Sequence, residues 1–171
     1  MKKLLLLAMG VIVVACQTPA PPAPPDPVEQ NPEEAAVVAV VEQFFDTLVT
    51  GDRAVAEAIL LPEGLFHAMR QSSDGWALGQ RTHGAHLGAL GAGPDALLER
   101  MWAPTVLVHE RIAVVWTPYD FHINGEFSHC GVDAFTLVKI DDAWKIAGVA
   151  YTTEPNDCEP SPLGPLSGVA D

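Results

Sequence analysis

The chain has 171 residues, of which 22 are acidic and 9 basic, for a formal charge of −13 at pH 7. No basic surface remains to meet phosphates, so nucleic acid is not an expected partner, and attraction to an anionic membrane is excluded for the same reason. The charge itself serves solubility.

The first segment, MKKLLLLAMGVIVVAC, places Lys2 and Lys3 before an apolar run from Leu4 to Ala15. That run falls short of the about 20 residues a membrane-spanning helix needs, and it ends in small residues. This is the layout of an export signal. Val13, Val14, Ala15 and Cys16 fit a bacterial lipobox, so residues 1–15 are expected to be removed and Cys16 to be lipidated. The alternative is an ordinary secretory signal in which Cys16 is incidental. Anchoring would come from lipid, and stable anchoring takes more than one acyl chain. Gln17 is not the aspartate associated with inner-membrane retention, so the resemblance to lipoproteins implies a lipid-anchored protein of the cell envelope, at the outer membrane. Residues 16–32 follow as a proline-dense spacer without aromatics, extended rather than folded. Export implies an oxidising compartment. With Cys16 taken by lipid, Cys130 and Cys158 remain as a pair for which a disulfide is expected, the alternative being two unrelated thiols.

Residues 33–158 have the size of one domain. Val37, Val40, Val41, Phe44, Phe45 and Leu48 recur at helical spacing after Pro32 and two acids, and Gly51 ends the pattern. Asp52 can cap a second helix, RAVAEAILL, which Pro62 ends. LFHAMRQ reads as a short strand. THGAHLGALGAG is open between loop and short helix, and PDALLERM, residues 94–101, reads as a third helix. The period then changes. WAPTVLVHE, IAVVWTPYDFHI, FSHCGVDAFTLVKI and AWKIAGVAYTT are β-rich runs, with hairpin turns expected at Asn124-Gly125 and at Asp141-Asp142. Helices followed by an antiparallel meander make an α+β domain. Residues 159–171 read as a flexible tail.

VVEQFFDTLVTGD, ERMWAPTVLVHERIAVVWTPYDF, FSHCGVDAFTLVKIDDAWKIAGVAYT and the later Cys158 together resemble the NTF2-like superfamily, closest to its SnoaL-like or lumazine-binding type. The resemblance implies a cone: N-terminal helices packed on a curved antiparallel sheet around a pocket, often with dimerisation through the sheet. It implies no single reaction, since the fold hosts isomerases, dehydratases, cyclases and non-catalytic binders.

If both turns are two-residue turns and the strands are regular, Asp120 faces His129, Trp116 faces Asp133, and Asp133 faces Ala150. One sheet face then carries Trp116, Asp120, His122, Phe127, His129, Asp133, Phe135, Leu137, Trp144 and Ile146, and the other carries Tyr119, Phe121, Cys130, Val132, Ala134, Val149 and Tyr151. A β-bulge would shift part of this division. The mixed aromatic and polar face suits a small-molecule pocket, with Trp116, His122, Phe127, Phe135 and Trp102 as its lining. His129 with Asp120 forms a candidate acid/base dyad, Asp133 being an alternative partner, and a neighbouring carboxylate would raise the basicity of the imidazole. The alternative is a structural histidine whose hydrogen bonds are satisfied. His83-x2-His86 and the group His122, His129 and Asp120 are nominal metal ligands in loose spacing, and no metal is expected. No glycine motif cradles a phosphate, so no cofactor is expected either. The expected function is a membrane-anchored pocket that binds a small, largely apolar molecule without catalysis. The alternatives are an isomerase, dehydratase or cyclase using His129 with Asp120 or Asp133, and an envelope assembly or accessory protein.

Overall fold

The computed structural model describes residues 31–156 and 158–166. The expected leader, Cys16, most of the proline-dense spacer and residues 167–171 lie outside the described residues.

Helix α1 (Pro32–Thr50) starts where Asn31 Oδ1 accepts the Glu33 N–H at 3.0 Å, with Pro32 in its first turn. Gly51, at φ 68°, closes it by donating its N–H to Thr47 O. Val37, Val41, Phe44 and Phe45 form the buried stripe. Glu33 accepts from Lys139 Nζ at 2.8 Å and from Trp144 Nε1 at 3.1 Å, which ties the start of α1 to the distant hairpin at residues 139–144. Helix α2 (Arg53–Ile59) is capped by Asp52, which accepts from the N–H groups of Ala54 and Val55. It stops before Pro62, because Leu60 already pairs with Ile146 as the first residue of β1 (Leu60–Ser72).

Strand β1 contains the expected LFHAMRQ and pairs with β2 (Gly75–Thr82), a strand exposed along nearly its whole length, Trp76 and Leu78 included, so that it shows no inside–outside alternation. Helix α3 (His83–Ala89) resolves the glycine-rich stretch, capped by Thr82. The helix predicted over 94–101 is instead strand β3 (Leu97–Met101). It lies along the far half of β5, and its entry is held by Asn124, which accepts from Ala96 N and donates to Asp95 Oδ1. Pairing with an open strand edge outweighs the helix propensity of five residues. Strands β4 (Thr105–His109), β5 (Ile112–Ile123), β6 (Glu126–Ile140) and β7 (Ala143–Thr153) complete the sheet.

The strand order is β2-β1-β7-β6-β5-β3, with β4 pairing the near half of β5. The β1–β7 pair is parallel and the others antiparallel, so the sheet is mixed where a purely antiparallel one is expected. Three helices pack against this curved, open sheet in an α+β cone, as expected. Both turns are two-residue turns with positive φ: 55° and 84° at Asn124 and Gly125, 47° and 61° at Asp141 and Asp142.

The pairing slips twice beyond those turns. Next to the first turn His122 faces Phe127, but Phe121 faces His129, so Ser128 is an extra residue in β6. Next to the second, Leu137 faces Ile146, but Thr136 faces Gly148, so Ala147 is extra in β7. Past each bulge the strand turns its other side to the core. Asp120 therefore faces Cys130, not His129; Trp116 faces Ala134, not Asp133; and Asp133 faces Tyr151, not Ala150.

The core sits between α1 and the concave face, where Phe44 and Phe45 meet the Phe135 ring edge-on at 5.8 and 5.7 Å beside Val115, Leu137, Ile146 and Val149. The convex face is covered in part by the segment expected to be a loose tail. Cys130 and Cys158 are joined in the expected disulfide, and Gly164 O accepts from Arg100 Nη2 at 3.0 Å. The bridge closes a loop across a separation of 28 residues. Cys158→Ser is expected to cost about 2–4 kcal/mol of unfolding free energy in urea; a midpoint unchanged under non-reducing conditions would contradict the bridge.

Candidate functional site

A cavity of about 410 Å³ lies between the concave face, α1 and α3. Phe44 and Leu48 of α1, Phe66 of β1, Leu90 after α3, Leu97 of β3, Phe121 of β5 and Val149 of β7 give it apolar walls. Glu99, Tyr119, His129, Asp133, Tyr151 and Thr153 supply polar atoms, and Arg70 and Arg81 are both exposed and mark its rim. Most of this set follows from the bulges: with Ser128 extra, His129 and Asp133 share a face with Tyr119 and Phe121, and with Ala147 extra, Tyr151 and Val149 join them.

The chemical centre is a pair of carboxyl groups. Glu99 enters from β3, and Asp133, only 3% exposed, from β6. The two carboxyls are close enough for the charge of one to act on the other, and Asp133 Oδ2 has no hydrogen-bond partner among the described residues. Burial pushes both groups above the ordinary carboxylate range, and for Glu99 the charge of Asp133 adds to the shift. Bringing two carboxylates together in a poorly solvated site disfavours ionising both. Tyr119 crosses beside them. Its hydroxyl donates to Thr152 O at 2.6 Å, and its acidity is suppressed by burial first and then by the charges of Glu99 and Asp133. Gly131 makes room for that crossing, since a Cβ there would come within 2.8 Å of Tyr119 Cε1 and 2.2 Å of Thr152 O.

His129 lies on the same wall but not beside Asp120. Its ring stacks on Phe121 at 4.8 Å, meets the Tyr119 ring edge-on at 5.8 Å, and has Nδ1 3.0 Å from Ser128 Oγ. Burial, then the charge of Arg70, lowers its pKa, opposite to the rise a carboxylate partner would bring. The expected dyad is thus replaced by a neutral imidazole and a separate carboxyl pair. Asp120 points to the convex face, where its Oδ1 accepts from Arg100 Nε at 2.8 Å and His122 Nε2 lies 3.2 Å away. Burial alone would raise the Asp120 carboxyl, but Arg100 and Ser161 bring it below its ordinary value. That cluster has the geometry of a latch on the C-terminal segment.

None of the five residues expected to line the pocket does so. Trp116 and Phe127, 56% and 51% exposed, stand on the convex side of the sheet with His122, while Phe135 is fully buried in the core below the cavity. Trp102 sits in the β3–β4 connection, where its N–H donates to Pro118 O. His83 and His86 lie within α3. His83 Nδ1 is 2.7 Å from Leu61 O, and His86 Nδ1 accepts from Arg81 Nη2 at 3.0 Å. Burial, Arg81 and His83 lower the His86 pKa to about 4, so it accepts as a neutral ring. No cluster of three metal-ligating side chains occurs among the described residues.

Glu99, Tyr119, Phe121, Tyr151, Arg70 and Arg81 are the residues that sequence reasoning misses. Reading LLERM as a strand would have placed Glu99 and Arg100 on opposite faces, and Glu99 opposite Phe121.

No protein-family profile matches the sequence, and no curated protein matches it either. Solved structures do match. An NTF2-like protein from Cytophaga hutchinsonii superposes with a TM-score of 0.60 at 15% identity, over 72% of this chain and 99% of the other. An NTF-2 like protein of unknown function from Silicibacter pomeroyi gives 0.54 at 19% identity, over 72% and 97%. A candidate dehydratase of the NTF2-like family from Streptomyces avermitilis gives 0.56 at 15% identity, over 71% and 96%. At these identities the likeness is one of fold: the chain has the NTF2-like fold.

A carboxyl whose pKa is raised by folding holds its proton more tightly in the folded state, so stability falls as pH climbs from the ordinary carboxylate range through the raised value. Glu99→Gln removes one such group. Its unfolding midpoint is expected to match the wild type near pH 4 and to exceed it increasingly toward pH 8; a pH-independent difference would contradict the raised Glu99 carboxyl.

Proposed function

We propose that the cavity is a binding site for a small organic molecule with an apolar body and a hydrogen-bonding end. The observation that carries this reading is the combination of volume and wall: about 410 Å³, apolar on several sides, with the Glu99–Asp133 pair and His129 converging on one region. A protonated carboxyl at neutral pH can donate to a carbonyl or hydroxyl of the ligand, and the apolar walls exclude competing water.

A second reading, catalysis, is favoured by the same pair. A carboxyl that burial keeps protonated near neutrality can act as general acid, and its conjugate base can remove a proton from carbon. Asp133 or Glu99 would move the proton and Tyr119 and His129 would orient the substrate, as suits an isomerase, dehydratase or cyclase. Binding alone needs only the cavity, so it ranks first.

Native mass spectrometry of the purified protein is expected to show one small molecule per chain, lost on unfolding and lost in Leu90→Trp, which fills the cavity. No adduct, together with no thermal shift from any member of a small-molecule library, would overturn the binding reading. If a bound compound is converted, Asp133→Asn is expected to lower kcat by about 10²–10⁴ with little change in Kd; turnover that survives would remove the carboxyl pair from catalysis.

We further propose that the domain works in the bacterial envelope, held by lipid on Cys16 at the outer membrane and kept clear of the headgroups by residues 16–32. The basis is the sequence pattern. Cys16→Ser is expected to move the protein from the membrane fraction to the soluble one; unchanged fractionation would contradict the anchor.

A further inference from the structure

The cations of this acidic chain are not placed alike. Among the described residues, Arg53 pairs with Glu57, Arg100 with Asp120, Arg111 with Asp142 and Lys139 with Glu33, while Lys145 donates to Ala58 O. Arg70 and Arg81 have no carboxylate within ion-pair distance among the described residues, and both line the cavity. With a formal charge of −13, leaving two arginines of one cavity without a carboxylate partner is against the odds of the composition.

Their surroundings hold them in place. Arg81 donates to the neutral His86 ring at 3.0 Å and its guanidinium carbon lies 5.5 Å over the Phe66 ring. Arg70 extends across β2 at Gly79, where a Cβ would meet its Nη1 at 1.9 Å. The glycine is a seat for the guanidinium. A second hollow, of about 280 Å³, opens on the same two arginines with Phe66 and Tyr151, all four shared with the main cavity. The acidic residues that line the cavity leave both arginines free: Asp95 Oδ1 accepts from Asn124 at 2.8 Å, and neither Glu99 nor Asp133 lies within ion-pair distance of Arg70 or Arg81. Guanidinium groups held this way lose little freedom on binding, and their planar forks match a carboxylate.

We propose that Arg70 and Arg81 form an anion-binding rim and that the ligand is an amphipathic organic monoacid, its carboxylate on the two arginines and its apolar body against Phe44, Phe66 and Phe121. This deepens the binding reading above and rests on it. A second negative charge at the far end of the ligand would meet Glu99 and Asp133, which restricts that end to a neutral polar or apolar group.

The test pairs acids with their neutral primary amides, 4-phenylbutyrate with 4-phenylbutyramide and octanoate with octanamide, titrated calorimetrically into the whole protein. At least one acid is expected to bind roughly tenfold more tightly than its amide, with an affinity that falls as salt rises. Arg70→Gln with Arg81→Gln is expected to bring acid and amide to equal affinity, with circular dichroism and a cooperative unfolding transition showing that the variant is folded; a folded variant that keeps the acid preference would overturn the rim. Acid and amide binding equally to the wild type would overturn the anion rim and leave the cavity as a ligand site. If no acid or amide binds at millimolar concentration, the rim falls, and the binding reading is decided separately by the native mass spectrum and the library.

Discussion

Between Phe127 and His129, β6 carries one residue more than β5 can match, and the extra Ser128 decides which side chains of the sheet meet. Side chains alternate with a period of two along a strand, so one inserted residue exchanges the faces of everything beyond it. With Ser128 extra, His129 and Asp133 stand on the concave side with Tyr119 and Phe121, and Asp120 stands on the convex side with Cys130. The slip at Ala147 does the same for β7 and brings Val149 and Tyr151 to that wall. The cavity depends on both.

The two faces then treat their carboxylates in opposite ways. On the convex side Asp120 is matched by Arg100, close to His122, and covered by the segment that the Cys130–Cys158 bridge brings back. Its charge is compensated, and the group is part of what holds the C-terminal segment down. On the concave side Glu99 and Asp133 have no ion-pair partner among the described residues, and burial raises both carboxyls above their ordinary range. A protein gains no stability from that arrangement, since raised carboxyl pKa values lower stability at neutral pH. Such a cost in a cavity large enough for a ligand supports the binding reading proposed above.

The fold is legible in the sequence because its signals are local. Helix α1 shows in the spacing of Val37, Val41, Phe44 and Phe45, and the two β-turns in Asn124-Gly125 and Asp141-Asp142. The site is legible only in part. His129 and Asp133 fall on the cavity wall, but their partners do not follow from pairing counted outward from the turns, because neither Ser128 nor Ala147 carries a bulge signature in its residue type. Glu99 is hidden for a different reason: LLERM has helix-forming residues, and only the free edge of β5, a tertiary feature, makes it a strand. Arg70 and Arg81 flank a hairpin whose second strand has no alternation to read.

The placement of His129 on the cavity wall is the claim on which the site stands, and two-dimensional proton NMR reads it directly. Ring protons of His129 are expected to show cross-peaks to the rings of Phe121 and Tyr119, whose centroids lie 4.8 and 5.8 Å away. Cross-peaks from His129 to Asp120 or His122, with none to Phe121 and Tyr119, would mean that β6 pairs without its bulge, and the cavity as described here would not exist.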